Sequence, residues 1–154
     1  MTVSLRKVQP SDLPVLYRFQ LDAESNRLAF THPQDRSDFD THWGEVLADP
    51  DVTARAIVFN DSLAGSISCF LAEGLHHIGY WIARPFWGRG IATQALRLLL
   101  DELPHRPLYS RVAEFNAGSI RVLDKNGFVE IGREWSPETD RYVACHEVVM
   151  KLAD

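Results

Sequence analysis

The stretch "GYWIARPFWGRGIATQALRLLL", Gly79 to Leu100, is where residue types and spacing first suggest chemistry. An apolar, aromatic run passes through Arg84-Pro85 into Gly88-Arg89-Gly90 and leaves with helical periodicity. Glycine lets a backbone come close to a ligand. The first N–H groups of a helix have no internal partner, and the helix dipole adds about half a positive charge there. Together these favour a phosphate or pyrophosphate. Taken alone, the two glycines leave a plain strand-to-helix turn with no ligand equally open.

Two other phosphate motifs fit less well. The GxxxxGK[ST] loop is absent. The dinucleotide pattern GxGxxG stops short, since Thr93 stands where a third Gly or Ala belongs. Glu114 is the nearest acidic residue for a ribose contact, and it ends no clear following strand at the required distance. No metal is expected: the six histidines include no HExxH helix, and adjacent His76 and His77 would point to opposite faces of a strand. Cys69 and Cys145 lack CxxC spacing and read as reduced, buried thiols in strands.

The elements that must position the glycine turn follow from pattern. "SLRKVQ" alternates as a first strand. "SDLPVLYRFQ" repeats apolar residues at helical spacing, with Ser11 as its cap. The polar "DAESNRLAFTHPQDRS" reads as a loop. "DFDTHWGEVLAD" reads as a second helix capped by Ser37 or Asp38. "VTARAIVFN" and "SLAGSISCFLA" form a hairpin through Asn60-Asp61, and "HHIGYWIA" follows a turn at Glu73-Gly74. Ile91, Ala92, Ala95, Leu96 and Leu99 make one helical stripe that Pro104 ends. "PLYSRVA" is a strand, and "AGSIRVLDKNGF" is a short helix capped by Asn116 and closed by Gly127. "FVEIGREW" and "RYVACHEVVMKL" are the last strands. The predicted class is α+β: a mixed sheet of about seven strands with about four helices, in one domain over residues 1–154.

Composition bounds the partners. The chain has 154 residues, 45% hydrophobic and 24% charged, as in an ordinary globular domain. Its net charge of −5 lacks the basic excess of a protein that grips nucleic acid through phosphates. The N-terminus lacks a signal-peptide core and no apolar run suggests a membrane span, so a cytoplasmic protein is expected. Edge strands near the C-terminus are candidate surfaces for a homodimer.

The "GYWIARPFWGRGIATQAL" stretch resembles the GNAT N-acetyltransferase superfamily, and more closely its RimJ/RimL-like branch. The superfamily's Gln/Arg-x-x-Gly-x-Gly/Ala loop appears here as Trp87-Gly88-Arg89-Gly90-Ile91-Ala92, with Trp87 replacing the polar first residue. A second block, "NAGSIRVLDKNGF" from Asn116 to Phe128, resembles the family's helix beside the pantetheine arm. The detailed resemblance covers about residues 75–130, and the N-terminal third follows in outline.

This resemblance implies acetyl-CoA as cosubstrate. The amides of Arg89, Gly90, Ile91, Ala92 and Thr93, beside Gly88, would hold the pyrophosphate. Arg84, Arg89 and Arg121 are candidates for the remaining phosphate charge, or simply surface arginines. The strand edge at Ile82 and Ala83 would pair with pantetheine as an added strand, where "HHIGYWIA" and "PLYSRVA" splay apart into a cleft. Acetyl transfer requires a neutral amine, which for a lysine-like group means losing a proton from a pKa of about 10.4. An amide near Ile82 would stabilise the oxyanion. The family's tyrosine acid is missing from the late helix. Ser119, in an NxxS pattern, is the candidate thiolate partner or else a helix-start hydrogen-bonding residue. Asn116 is a cofactor or water ligand, or only a cap. His77 stands where relatives carry a glutamate and is the candidate base; a packed strand histidine, Glu73 or a water relay are the alternatives.

The acceptor is expected on the wall between the first two helices, near Arg27, Phe30, His32, Asp35 and Trp43, although Trp43 and Phe30 read first as core. Asp22, Glu24 and Asp35 are the carboxylates placed to attract a cation. The expected activity is N-acetyl transfer to a primary amine, either a protein N-terminus or a small molecule. The competing readings are a non-catalytic CoA-binding module and a nucleotide- or NAD-binding protein.

Overall fold

The computed structural model describes residues 2–154. Seven strands form one mixed sheet: β1 (Val3–Lys7), β2 (Thr53–Phe59), β3 (Ser62–Ala72), β4 (Leu75–Ile82), β5 (Leu108–Ala113), β6 (Val129–Ser136) and β7 (Cys145–Leu152). Their spatial order is β1-β2-β3-β4-β5-β7-β6. All neighbours are antiparallel except β4 and β5. The two hairpin turns are as expected, and Asn60, Asp61, Glu73 and Gly74 all take positive φ, as tight hairpin turns require.

There are five α-helices, not about four: α1 (Leu13–Phe19), α2 (Ala23–Ala29), α3 (Arg36–Ala48), α4 (Ile91–Glu102) and α5 (Ala117–Lys125). The additional one, α2, lies in the segment expected to be a loop. It has little apolar periodicity and is held by its ends instead. The Asp22 carboxylate accepts from the Ser25 amide, and Phe30 closes the helix at φ 56°. Two expected caps also move. Ser11 lies inside a short 3-10 turn before α1, where the Asp12 carboxylate accepts from the Gln9 amide and from Arg6. Asp35, rather than Ser37 or Asp38, caps α3.

The main core lies between the sheet and α4, where Ile91, Ala95, Leu96 and Leu99 meet Ile57, Ile67, Cys69 and Ile78. Strand alternation sends Trp81 to the opposite face from Ile78, toward Leu16 of α1 and Phe39 of α3. Both cysteines are free; Cys69 is buried, whereas Cys145 is only partly so. Among the described residues, no helix is long and apolar enough to cross a membrane.

Candidate functional site

The only β4–β5 pairing is His77 with Tyr109. Beyond it the two strands separate, and the buried Ser110 hydroxyl takes up the Ile78 carbonyl at 2.9 Å. The Ala83 amide donates to the Ala64 carbonyl on β3. Hydrogen-bonding direction alternates along a strand. Ile78, Tyr80 and Ile82 therefore present their backbone groups to the side that β5 has left.

That opening is a cleft of about 650 Å³, within the range of small-molecule sites. Its floor is β4 from Tyr80 to Ile82, and its ends are the starts of α4 and α5. Gly88 and Gly90 hold φ of 75° and 73°, a left-handed geometry that suits glycine. A Cβ on Gly88 would meet no protein atom within 4 Å, and one on Gly90 only Gln94 at 4.0 Å. The space above them is thus free for a ligand. The first internal bond of α4 is Gln94 N–H to the Gly90 carbonyl, and no side chain caps the helix. The amides of Ile91, Ala92 and Thr93 precede that bond and lack helical acceptors.

The expected residues fall into two groups. Ile82, Gly88, Gly90, Ile91, Ala92, Thr93, Asn116 and Ser119 all line the cleft. Asn116 also caps α5, accepting from the Ser119 amide at 3.3 Å. Ala83 does not line it: its amide is committed to Ala64 and its carbonyl to Phe86. The Arg89 side chain turns away and lies over the Phe59 ring at 5.8 Å. Arg84 pairs with Asp22 at 3.0 Å. His77 is buried outside the cleft. Its Nδ1 is 3.0 Å from the Leu75 carbonyl oxygen, and its ring stacks on Phe70. Arg121 and Lys125 line the cleft, and among the described residues neither forms an ion pair.

Two cleft residues were not anticipated in these roles. The Trp87 indole N–H donates to the Ile82 carbonyl at 2.8 Å, so this aromatic closes the end of β4 with a donor of its own. Tyr80 reaches across to α5, its hydroxyl 3.5 Å from the Ser119 carbonyl oxygen. That is long for a hydrogen bond, so the phenol is weakly committed. Burial pushes its pKa up to about 12, so it remains a proton donor at neutral pH.

A second cavity, of about 140 Å³, lies on the α1–α3 side. Trp81 contributes to both cavities, and consecutive α2 residues divide between them, Ser25 to the cleft and Asn26 to the smaller cavity. His32, Trp43 and Arg141 also line the smaller one. The segment between β6 and β7 is stitched to the segment after α2: Val143 N–H donates to the Phe30 carbonyl at 2.8 Å, and His32 N–H to the Arg141 carbonyl at 2.7 Å. The side chains of His32 and Glu138 are paired as well. Among the described residues there is no group of three or more His, Cys, Asp or Glu able to hold a metal ion.

Comparison with known proteins agrees with this geometry. The chain is similar to "Probable N-acetyltransferase YjcK" of Bacillus subtilis, 33% identical over 119 residues, covering 71% of this chain and 60% of that one. With YdaF of the same organism it shares 33% identity over 98 residues, 59% of this chain and 54% of that one. The chain therefore spans less than two thirds of these curated relatives. The fold is shared with spermidine N-acetyltransferase from Vibrio cholerae, solved with CoA and spermine (TM-score 0.83, 18% identity, 98% of this chain and 95% of that one). It is also shared with Mycobacterium smegmatis RimJ, solved with CoA-disulfide (TM-score 0.80, 23% identity, 98% and 81%). The family model "Acetyltransferase (GNAT) domain" matches residues 2–129, and the chain belongs to that family.

Proposed function

We propose that the protein transfers an acetyl group from acetyl-CoA to a primary amine, on a protein N-terminus or a small molecule. One observation carries this reading. The open edge of β4 leads directly to the uncapped amides of α4. A ligand with an amide-bearing arm joined to a pyrophosphate fits that arrangement, and a bare nucleotide does not use the strand edge. CoA and spermine in the Vibrio cholerae structure, and CoA-disulfide in RimJ, support it by analogy of fold.

In this reading the amides of Gly90 to Thr93 hold the pyrophosphate, and Arg121 and Lys125 neutralise further phosphate charge. The Ile82 amide faces the thioester carbonyl oxygen. The amine nitrogen forms the new C–N bond as the C–S bond breaks. The sulfur accepts a hydrogen bond from Ser119 or a proton from Tyr80, which replaces the tyrosine missing from the late helix. His77 is enclosed by Phe70 and Tyr109 outside the cleft, so the amine's proton is assigned to solvent rather than to this histidine. Where the protein dimerises, β6 is one of the two edge strands of the sheet and carries the exposed Val129, Ile131 and Trp135.

The test is release of free CoA thiol over a panel of amines. Amine-dependent release with acetylated product by mass spectrometry is expected. Tight acetyl-CoA binding with no turnover on any amine would instead indicate a binding module.

A further inference from the structure

The smaller cavity is poor in free carboxylates. Asp22 is engaged by Ser25 and Arg84, Glu24 by Arg27, Asp35 by the start of α3, and Glu138 by His32 and the Ala144 amide. None of these four lines the cavity. A polycationic amine would find no anionic wall there. What does line it is a cation: Arg141 makes no ion pair among the described residues. Its guanidinium lies 5.8 Å from the Tyr142 ring centroid. Its charge is also near enough to His42, in the same wall, to help burial hold that imidazole below its ordinary pKa. Glu45 opposes that shift from outside the lining without reversing it, so His42 is largely neutral at pH 7. Arg141 is then the charged side chain of the lining, other than any charge on His32, which is paired with Glu138. Phe39, Trp43 and Trp81 supply an apolar surround.

Size narrows the occupant. A cavity of about 140 Å³ holds roughly one ring-sized group. It is well below the ~300 Å³ at which sites for larger ligands begin. An unpaired guanidinium in a mostly apolar pocket suits a carboxylate, which it can bind through two parallel hydrogen bonds.

We propose that this cavity is the acceptor subsite and selects a primary amine that carries a carboxylate within a few bonds, with Arg141 as the carboxylate anchor. The inference rests on the acetyl-transfer reading above. A free amino acid and an acidic N-terminal residue of a peptide share this chemistry.

The experiment measures thiol release at saturating acetyl-CoA on four acceptor types: free aspartate and glutamate, peptides beginning with them, the corresponding fully amidated compounds, and spermidine. Carboxylate-bearing acceptors should be preferred, and the first two arms separate the free amino acid from the peptide. Arg141→Gln should raise their KM about tenfold or more, with the amidated acceptors and acetyl-CoA affinity unchanged. Among the described residues the Arg141 side chain forms no hydrogen bond or ion pair, so the variant should fold. A preference for spermidine, equal use of amidated acceptors, or an unchanged KM in Arg141→Gln would overturn the inference. So would acetyl-CoA binding without turnover on any acceptor. Failure of the folded protein to bind acetyl-CoA at all would overturn the transfer reading itself.

Discussion

The cleft between β4, α4 and α5 and the cavity beside α1–α3 are built on different principles. The cleft is made chiefly of backbone: two left-handed glycines, an uncapped helix start and a strand edge abandoned by its neighbour. The cavity is made of side chains from distant parts of the chain, held by contacts such as Gln20 with the Gln34 backbone and His32 with Glu138. Around it, pairs such as Arg84 with Asp22 fix the neighbouring α2. A backbone site tolerates drift in side chains while holding one ligand. A side-chain site can change its specificity by single substitutions.

The largest expected effect attacks the backbone side. Gly90→Val places a branched residue at φ 73° and a side chain in the ligand space. It should weaken acetyl-CoA binding at least about a hundredfold, roughly 3 kcal/mol. Left-handed strain should also lower stability by about 1–2 kcal/mol. Calorimetry and urea unfolding separate the two effects. Retained affinity in the folded variant would break the backbone half of the contrast.

Next come the two cleft hydroxyls proposed to face the CoA sulfur. Ser119→Ala and Tyr80→Phe should each lower kcat by about tenfold to a hundredfold, with little change in acetyl-CoA affinity. Losses shared equally by kcat and binding would make them cofactor ligands only. The Tyr80 pKa, pushed up to about 12, lies above its unfolded value near 10. Its share of stability is therefore intact below pH 10 and fades as the pH rises toward 12. No loss of kcat from Tyr80 ionisation is expected up to about pH 10.

A smaller effect concerns pH at the side-chain region. Asp12, Asp22, Glu24 and Glu138 all have depressed pKa values, chiefly from Arg6, Ser25, Arg27 and His32 respectively. Depressed carboxylates stabilise the fold above their unfolded pKa, near 4, and lose that contribution as pH falls through the folded value. Hydrogen exchange below about pH 4 should therefore speed up first around α1, α2 and residues 137–144. The core of α4 should hold longer. Uniform loosening would contradict the contrast. Smallest is Arg84→Ala, which frees one oxygen of a carboxylate that still caps α2. Loss of this exposed pair should leave stability nearly unchanged and show only as a small shift in acceptor KM, larger than any shift in acetyl-CoA Kd.

The same contrast explains what could be read from the sequence. The cleft was legible because its signals are local. Gly88 and Gly90 sit next to a helix stripe, and Asn116 directly precedes the helix it caps. The hairpin at Asn60-Asp61 was legible for the same reason. The cavity was not, because its parts meet only in three dimensions: Arg141 comes to His32 through backbone bonding across the fold. The helix α2 was missed because polar end contacts, not an apolar stripe, hold it; Asp22 three residues before Ser25 and the Glu24–Arg27 pair were its available signals. Tyr80 and Trp87 were visible as residues, but their bonds to Ser119 and Ile82 depend on the splay of β4.

The most direct test is titration calorimetry of the folded protein with acetyl-CoA, using NAD as the control ligand. The geometry of β4 and α4 predicts saturable one-to-one binding of acetyl-CoA and none of NAD. No acetyl-CoA binding, or equal binding of NAD, would contradict the assignment of the glycine turn to a CoA pyrophosphate.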